Sequence, residues 1–434
     1  MNIGLINPAW GDRRRGVNST SLYRCIPPQA LLQLASLTPL SHEVDIVDEN
    51  WSEIDFTRPY DVVGITGTTV QIPRAYEVAD EFRKRGTTVL MGGPHVSFLP
   101  REALGHADSV VRWEADEVWG RVLDDIEAKN LKKVYSPKFP QSLDFKVHRP
   151  VSRVFHVETP SWLPLQIKAA TIQIQRGCPH NCEFCSVTTF NGRRVRHKSV
   201  AYVAEEIKRA KAEGARFFLF LDDNIVADKG YAKELFEALI PLNIRWLSQT
   251  EINIADDDVI DLAVRAGLRF AVIGFESIDA ETLGKATSLA KKSWRRKYEE
   301  GAAKLRRRGV MIHGGFIFGL DHQTADQAFE TVEWAIRNKL TVSHFTLATP
   351  LPGSRLFRRL HKEDRIATYD WSKYGMVTES CVVKGEDGYK EALEAMEIEA
   401  YRRFYSFRSL ARRFTWRLSP FNQLLWLMMQ TFSR

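Results

Sequence analysis

The stretch ATIQIQRGCPHNCEFC, residues 170–185, is a short apolar strand that runs straight into a loop carrying Cys178, Cys182 and Cys185. A strand ending in a ligand-bearing loop is how a (β/α) barrel builds its active face, because barrel chemistry sits at the C-terminal ends of the strands. Downstream the pattern repeats: VAYVAEEIKRAKAEG, FFLFLDD, KGYAKELFEALIPLN, IRWLSQTE, DDVIDLAVRAG, FAVIGFES, a long basic helix, VMIHGGFIFG, FETVEWAIRNK and VSHFTLATP. With ATIQIQ, six apolar strands alternate with helices. This count predicts a partial (β/α)6 barrel over residues 166–360.

Upstream, NIGLINP, PPQALLQLASL, EVDIVDE, DVVGIT, PRAYEVADEFRKRG, TVLMGG and SVVRW alternate strand and helix in the same way. That spacing predicts a parallel, doubly wound, Rossmann-like α/β domain over residues 1–135. A stretch rich in Pro, Ser, Lys and Arg, KVYSPKFPQSLDFKVHRPVSR, reads as a linker, assigned to residues 136–165. Residues 361–434 read as a helical C-terminal extension.

Composition sets the outer limits. The chain has 434 residues, 44% hydrophobic and 26% charged, enough for two or three domains with their own cores. Five cysteines, three clustered and two isolated at Cys25 and Cys381, do not form a disulfide framework in so long a chain and fit a reducing setting. The start, MNIGLINPAWGD, lacks a basic segment followed by an apolar run, and no run of about 18 uninterrupted apolar residues occurs. A cytoplasmic protein is expected, without secretion or a membrane span. Seven of the 61 Lys and Arg residues and none of the 54 acidic ones fall within 400–434, so the body is neutral and the tail basic.

Three thiolates leave one ligand position to fill. A structural zinc site closes with a fourth protein ligand, for which His180 and His197 are the nearest histidines. A C-x3-C-x2-C loop instead gives three thiolates to a [4Fe–4S] cluster and leaves one iron without a protein ligand. The spacing favours the cluster over zinc.

CPHNCEFC behind a strand that opens a (β/α) barrel resembles the radical S-adenosylmethionine (SAM) enzymes. In that family the amino and carboxylate groups of SAM occupy the fourth iron. The resemblance implies Cys178, Cys182 and Cys185 as cluster ligands, and Phe184 as the bulky residue whose backbone meets the adenine. FLDDN stands where the family commonly has Gly-Gly-Glu, so Asp222, Asp223 and Asn224 are the acceptors expected near the SAM amino group. TEIN and GFES put Glu251 and Glu276 at strand ends, where carboxylates accept hydrogen bonds from ribose hydroxyls. The plainer reading of each is a solvated or salt-bridged strand-end carboxylate. GGFIFGLD, residues 314–321, puts Gly315 where a strand must let the adenosyl group approach closely.

INPAW, the PP of RCIPPQALLQLASL, GITGTT and GGPHVSFLPREAL resemble the cobalamin-binding domain fused ahead of the barrel in B12-dependent members. The resemblance then covers nearly the whole chain. Thr66, Gly67, Thr68, Gly92, Gly93 and His95 are the residues expected to hold the corrin side chains at the C-terminal edge of the sheet. His95 reads alternatively as a turn residue bonded locally. None of the eleven histidines has an aspartate two residues before it, so the D-x-H-x-x-G variant that ligates cobalt is missing. The competing reading is a domain that keeps the fold without the cofactor.

The implied reaction is cleavage of SAM to a 5′-deoxyadenosyl radical, hydrogen abstraction from an unactivated carbon and, with methylcobalamin, methyl transfer to that carbon. The cofactors carry the difficult chemistry and the protein positions them. The electron donor implied is a flavodoxin or ferredoxin. Two alternatives stand beside methylation: a radical cyclisation, rearrangement or carbon–carbon coupling, and a metal-binding scaffold or sensor without enzymatic activity. The tail FYSFRSLARRFTWRLSPFNQLLWLMMQTFSR interleaves aromatics with Arg402, Arg403, Arg408, Arg412, Arg413 and Arg417. It is expected to lie at an anionic membrane surface, at the inner face of the membrane, or else to pack against the barrel. Nucleic acid is not an expected partner, because the body is neutral and shows no binding module. A lipophilic substrate is expected: isoprenoid, hopanoid, lipid or tetrapyrrole. Arg355 and Trp371 are candidates for its mouth, and Cys25 and Cys381 read as ordinary thiols.

Overall fold

The computed structural model describes residues 1–10, 26–139, 142–157, 167–287, 294–321, 323–375, 381–414 and 423. The first part runs β1 (Asn2–Asn7), α1 (Gln29–Leu37), β2 (Glu43–Asp48), β3 (Val62–Thr66), α2 (Ile72–Lys84), β4 (Thr88–Gly92), α3 (Pro94–Phe98), α4 (Pro100–Ala103), β5 (Ser109–Val111), α5 (Trp119–Glu127) and β6 (Val134–Tyr135). All six strands are parallel, in the order β2-β1-β3-β4-β5-β6. Alternate side chains leave the sheet on opposite faces. Val63, Ile65, Val89 and Met91 meet Ala75, Val78, Ala79 and Phe82 of α2. Val62, Leu90 and Val111 meet Leu31 and Ala35 of α1 and Trp119, Val122 and Leu123 of α5. Each large apolar side chain so buried contributes about 1.5–3 kcal/mol. The strand order reverses between β1 and β3, which is where doubly wound sheets open a crevice for ligands.

The second part runs β7 (Val154–Val157), β8 (Ile167–Ile172), β9 (Gln175–Arg176), α6 (Val187–Asn191), β10 (Arg196–His197), α7 (Val200–Ala212), β11 (Phe217–Phe220), α8 (Lys229–Leu239), β12 (Arg245–Thr250), α9 (Asp257–Arg265), β13 (Leu268–Glu276), α10 (Ala280–Ala286), α11 (Trp294–Arg307), β14 (Met311–Phe318), α12 (Ala325–Arg337), β15 (Val342–Leu347) and α13 (Arg355–Lys362). The sheet order is β15-β14-β13-β12-β11-β8-β7, parallel throughout except at β7, which pairs antiparallel with β8. The segment read as a linker therefore supplies an edge strand as well as a connection. Helix starts are fixed by side chains: Ser199, Asp228, Asp279 and Thr324 each accept a backbone N–H of the first turn.

A six-stranded partial barrel leaves β15 with an open edge, which would expose unpaired backbone groups. The C-terminal helices α14 (Tyr389–Phe404) and α15 (Phe407–Arg413) cover it. The Tyr405 hydroxyl accepts the Ser343 N–H at 3.3 Å and donates to the Ser343 carbonyl at 3.1 Å, and the Tyr401 hydroxyl accepts the Phe345 N–H at 3.3 Å. Arg413 is buried, donates to the carbonyls of Leu340, Thr341 and Phe404, and lies 3.8 Å from the Phe404 ring centroid. Burial pushes its guanidinium down to about 10. Of the tail expected at a membrane surface, residues 400–414 thus divide. Tyr401, Phe404, Tyr405 and Arg413 serve the barrel edge, while Arg402, Arg403, Arg408 and Arg412 are exposed. Arg417 and LLWLMM lie outside the described residues, as does Cys25. No described helix is long and apolar enough to cross a membrane.

Candidate active site

The cysteine loop leaves the barrel through β9 and returns through β10, which pair antiparallel with Arg176 opposite Arg196. Gly177 has φ 97°, and a Cβ there would run into the Arg194 carbonyl oxygen, so the turn requires glycine. The Cys178 N–H donates to the Gly192 carbonyl at 3.3 Å, and the Glu183 N–H donates to Ala286 at 2.7 Å. Cys178, Cys182, Cys185 and Phe184 are all half-buried at the C-terminal end of the barrel, with Phe184 packed against the barrel core. Burial raises the Cys178 thiol, with Asp223 and Glu251 adding to the rise, and pushes Cys185 up to about 12. Thiolates in such a place call for a cationic centre to balance them.

The strand-end acids around this loop have separate environments. Asp222 is fully buried and turned into the fold: Oδ1 accepts the N–H groups of Ile174 at 2.8 Å and Gln175 at 2.6 Å, and burial pushes its carboxyl up to about 7. Through Oδ1 it locks the exit of β8, while Oδ2 is buried with no hydrogen-bond partner among the described residues. Asn224 is likewise buried; its carbonyl takes the Gln175 amide and its Oδ1 accepts the Val226 N–H at 3.3 Å. Asp223 is the acid of that stretch that faces the thiols; burial pushes it up to about 6, against a hydrogen bond from Asn191 at 3.2 Å.

Glu251 accepts from His180 Nε2 at 3.1 Å. Burial would raise its carboxyl, but His180, Asn253 and Asn224 outweigh that and hold it below its ordinary value. His180, read as a spare zinc ligand, is therefore committed to Glu251, and His197 stacks on Tyr231 with ring centroids 3.9 Å apart. Among the described residues no three His, Cys, Asp or Glu side chains converge on one metal ion. Glu276 has φ 62° at a bulge where β13 slips against β14, and burial pushes it up to about 7. Its carboxylate lies over Gly274, where a Cβ would strike it. Gly274 pairs with Gly315, whose own Cβ position has nothing closer than 3.9 Å. Two adjacent strands without side chains thus leave a recess beside Glu276.

A cavity of about 350 Å³ lies between the C-terminal edge of the first sheet and the mouth of the barrel. Thr66, Gly92, Gly93, Val111 and Trp113 line it from the sheet, and Gln173, Arg176, Phe190, Asn191 and Leu221 from the barrel. Gly93 has φ 99°, and a Cβ there would come within 2.9 Å of Thr66 Oγ1, so close packing holds the cradle open. Three of the expected residues do not reach it. Thr68 caps the turn at Thr69–Gln71 and bonds the Gln71 side chain, and Gly67 sits behind it against Ala75 and Ile72. His95 is fully buried 5.0 Å from the Trp371 ring and 3.4 Å from Glu102. Trp371 accordingly faces the first domain rather than a substrate mouth, and Arg355 is exposed at the start of α13.

Comparison with known proteins gives this geometry a family. Residues 172–335 match the radical SAM superfamily and residues 15–123 the B12 binding domain. The bacteriochlorophyllide d C-8(2)-methyltransferase of Chlorobaculum tepidum is 33% identical over 401 residues, covering 88% of this chain and 86% of that protein. The chain is a B12-binding radical SAM enzyme. A second relative, the anaerobic magnesium-protoporphyrin IX monomethyl ester cyclase of Cereibacter sphaeroides, is 26% identical, covering 83% of this chain and 62% of that one. Among solved structures, the radical SAM methyltransferase TsrM of Kitasatospora setae with cobalamin and a [4Fe–4S] cluster shares the fold, with a TM-score of 0.66, 18% identity, and 83% and 75% of the two chains covered.

Membership in the B12-binding radical SAM enzymes brings their cofactors: a [4Fe–4S] cluster, SAM and cobalamin. The residues present fit all three, with half-buried thiols for the cluster, the Gly274–Gly315 recess for an adenosyl group and the glycine cradle for a corrin. Sequence reading missed the turn Trp113–Asp116, together with Arg176 and Phe190, on the cavity wall. Trp113 and Arg176 stand at the ends of strand runs and the others belong to no periodic pattern, and only chain crossing brings them together.

Proposed function

We propose that this enzyme is a cobalamin-dependent C-methyltransferase acting on an unactivated carbon of a lipophilic substrate, of tetrapyrrole type. The observation that carries it is the single cavity shared by the glycine cradle of the first domain and the barrel mouth, beside the cysteine loop. The methyltransferase relative similar over 88% of the chain supports the reaction class, and the names of both relatives support the substrate class. When bound, the cluster and SAM supply a carbon-centred radical and the cobalamin a transferable methyl group.

The chain's own residues do the rest. Cys178, Cys182 and Cys185 would hold the cluster. Asp223 would accept from the SAM amino group and Glu251 from the ribose, oriented by His180 at 3.1 Å. The Gly274–Gly315 recess would admit the adenosyl group, and the apolar wall with Trp113 and Phe190 would exclude water from the reacting carbon. An electron donor of flavodoxin or ferredoxin type completes the reading, as does membrane contact through residues 400–434. The contact is supported by exposed Arg402, Arg408 and Arg412 beside Phe407, which is 85% exposed. Co-sedimentation with anionic liposomes tests that contact, and equal recovery with neutral vesicles would remove the electrostatic part.

The deciding experiment is anaerobic turnover with a tetrapyrrole acceptor after cluster and cobalamin reconstitution. S-adenosylhomocysteine and 5′-deoxyadenosine should appear together, and Cys182→Ala should yield neither. Formation of 5′-deoxyadenosine alone would replace methylation by cyclisation or coupling.

A further inference from the structure

The turn Trp113–Asp116, between β5 and α5, carries no recognisable motif, yet all four of its residues line the interdomain cavity. The same turn grips the base of the cysteine loop. Glu114, with a side chain only 3% exposed, accepts from Arg176 Nη1 at 3.1 Å and from Arg196 Nη1 at 2.9 Å. Asp116 accepts from Arg176 Nη1 at 2.6 Å and Nη2 at 3.1 Å. Arg176 and Arg196 are the facing residues of β9 and β10, and Arg196 also donates to the Asn191 carbonyl at 2.9 Å.

Trp113 completes the grip from the cavity side. Its ring meets Phe98 edge-on at 5.5 Å and lies 6.1 Å from Phe190, five residues beyond Cys185. Its backbone is held at φ 62°, an unfavourable conformation for a bulky residue, with its N–H on Ser97 Oγ at 2.8 Å. Strain of this kind persists where the surroundings over-determine a functional geometry. Buried ion pairs lose too much when separated to slide past one another. The cavity wall and the loop base therefore move as one piece.

We propose that Glu114 is a positioning residue that couples the two cofactor sites, so that cobalamin in the cavity stiffens the loop holding the cluster. The proposal rests on the reading of the cavity as the cobalamin site. The bland alternative is a staple that joins the domains and is indifferent to what the cavity holds.

Iron release from cluster-loaded, full-length protein to bathophenanthroline disulfonate, with and without saturating hydroxocobalamin, separates the two. Hydroxocobalamin should slow release in the wild type by about fivefold or more, the lower end of ordinary coupling between sites. In Glu114→Gln the two rates should converge at a hydroxocobalamin concentration that its absorbance shows to saturate the variant. A staple would instead raise both rates in Glu114→Gln and leave their ratio intact, which overturns the proposal. If Glu114→Gln does not fold, Arg196→Gln, which removes the other end of the same buried pair, takes its place with the same expectation. Wild-type protein that binds hydroxocobalamin without slower iron release overturns the coupling alone, and failure to bind it overturns the cavity reading.

Discussion

His313 Nε2 and His344 Nδ1 lie 2.6 Å apart on the inner faces of β14 and β15, so one ring donates to the other. Burial holds both imidazoles below their ordinary value, and His344 depresses His313 further. The unfolded chain therefore takes up protons below about pH 6.5 that the folded chain refuses. Their contribution is full above that pH and falls as the pH drops, by up to about 1.4 kcal/mol per unit for each histidine. Asp222 and Glu276, pushed up to about 7 by burial, act in the opposite sense and lose their contribution as the pH rises. The contrast between wild type and His313→Gln isolates His313. Chemical denaturation between pH 7.5 and 5 should give the variant a slope shallower in its fall by up to about 1.4 kcal/mol per unit below about pH 6.5, and parallel curves would show that His313 has the same protonation in the folded and unfolded chains. Neither ring was legible as a pair in the sequence, because 31 residues and a helix separate them.

Two neighbouring glycines of β14 do different work. At Gly314 a Cβ would meet Leu340 Cδ1 at 2.7 Å and Phe316 at 2.9 Å, so the glycine is a packing requirement. At Gly315 the Cβ position is open and faces Gly274 across the sheet. A Gly interior to a strand is otherwise a weakness. Gly315→Val should therefore keep or raise the unfolding temperature while weakening SAM binding about tenfold, or about 1.4 kcal/mol. Gly314→Ala should lose stability by about 1–3 kcal/mol through overpacking. SAM affinity by equilibrium dialysis, beside a thermal melt, reads both, and unchanged SAM affinity in Gly315→Val would remove the recess from the binding site. The six parallel strands were readable because each is a continuous apolar run bounded by helices, as buried parallel strands are. The role of α14 and α15 was not, because an interleaved basic and aromatic helix has the same pattern whether it meets a membrane or, like Tyr401, Tyr405 and Arg413, the free edge of β15.

Among the described residues the two halves are joined by the Thr171–Gln29 and Arg153–Gln33 hydrogen bonds and the contacts of Phe190 with Phe98 and Trp113, as well as by two larger anchors, the Glu114–Arg176–Arg196 network and Trp371. The latter comes from the segment after α13 and packs into the core of the first domain, its Nε1 donating to Glu102 at 3.0 Å. Trp371→Ala should cost about 3 kcal/mol, within the range for truncating a packed aromatic, and should expose the first domain to limited proteolysis. A loss under about 0.5 kcal/mol, the level of an ordinary surface change, would show that domain docking does not depend on it. Local order determined a great deal in this protein: strand and helix periodicity, the spacing of three cysteines and the glycines of GGPH and GGFIFG are short-range facts, and they carried the architecture and the place of the three-cysteine loop within it. Which side chain faces which cofactor is a long-range fact. Asp222 and Asp223 are chemically identical neighbours, yet one locks the backbone of Ile174 and Gln175 while the other stands by the thiols, because adjacent residues leave the end of a strand in opposite directions. His95 and Trp113 differ in the same way: folding sends the expected histidine into a buried contact with Trp371 and brings an unremarked tryptophan to the cavity, since the cavity wall exists only after two distant strand ends are packed against each other.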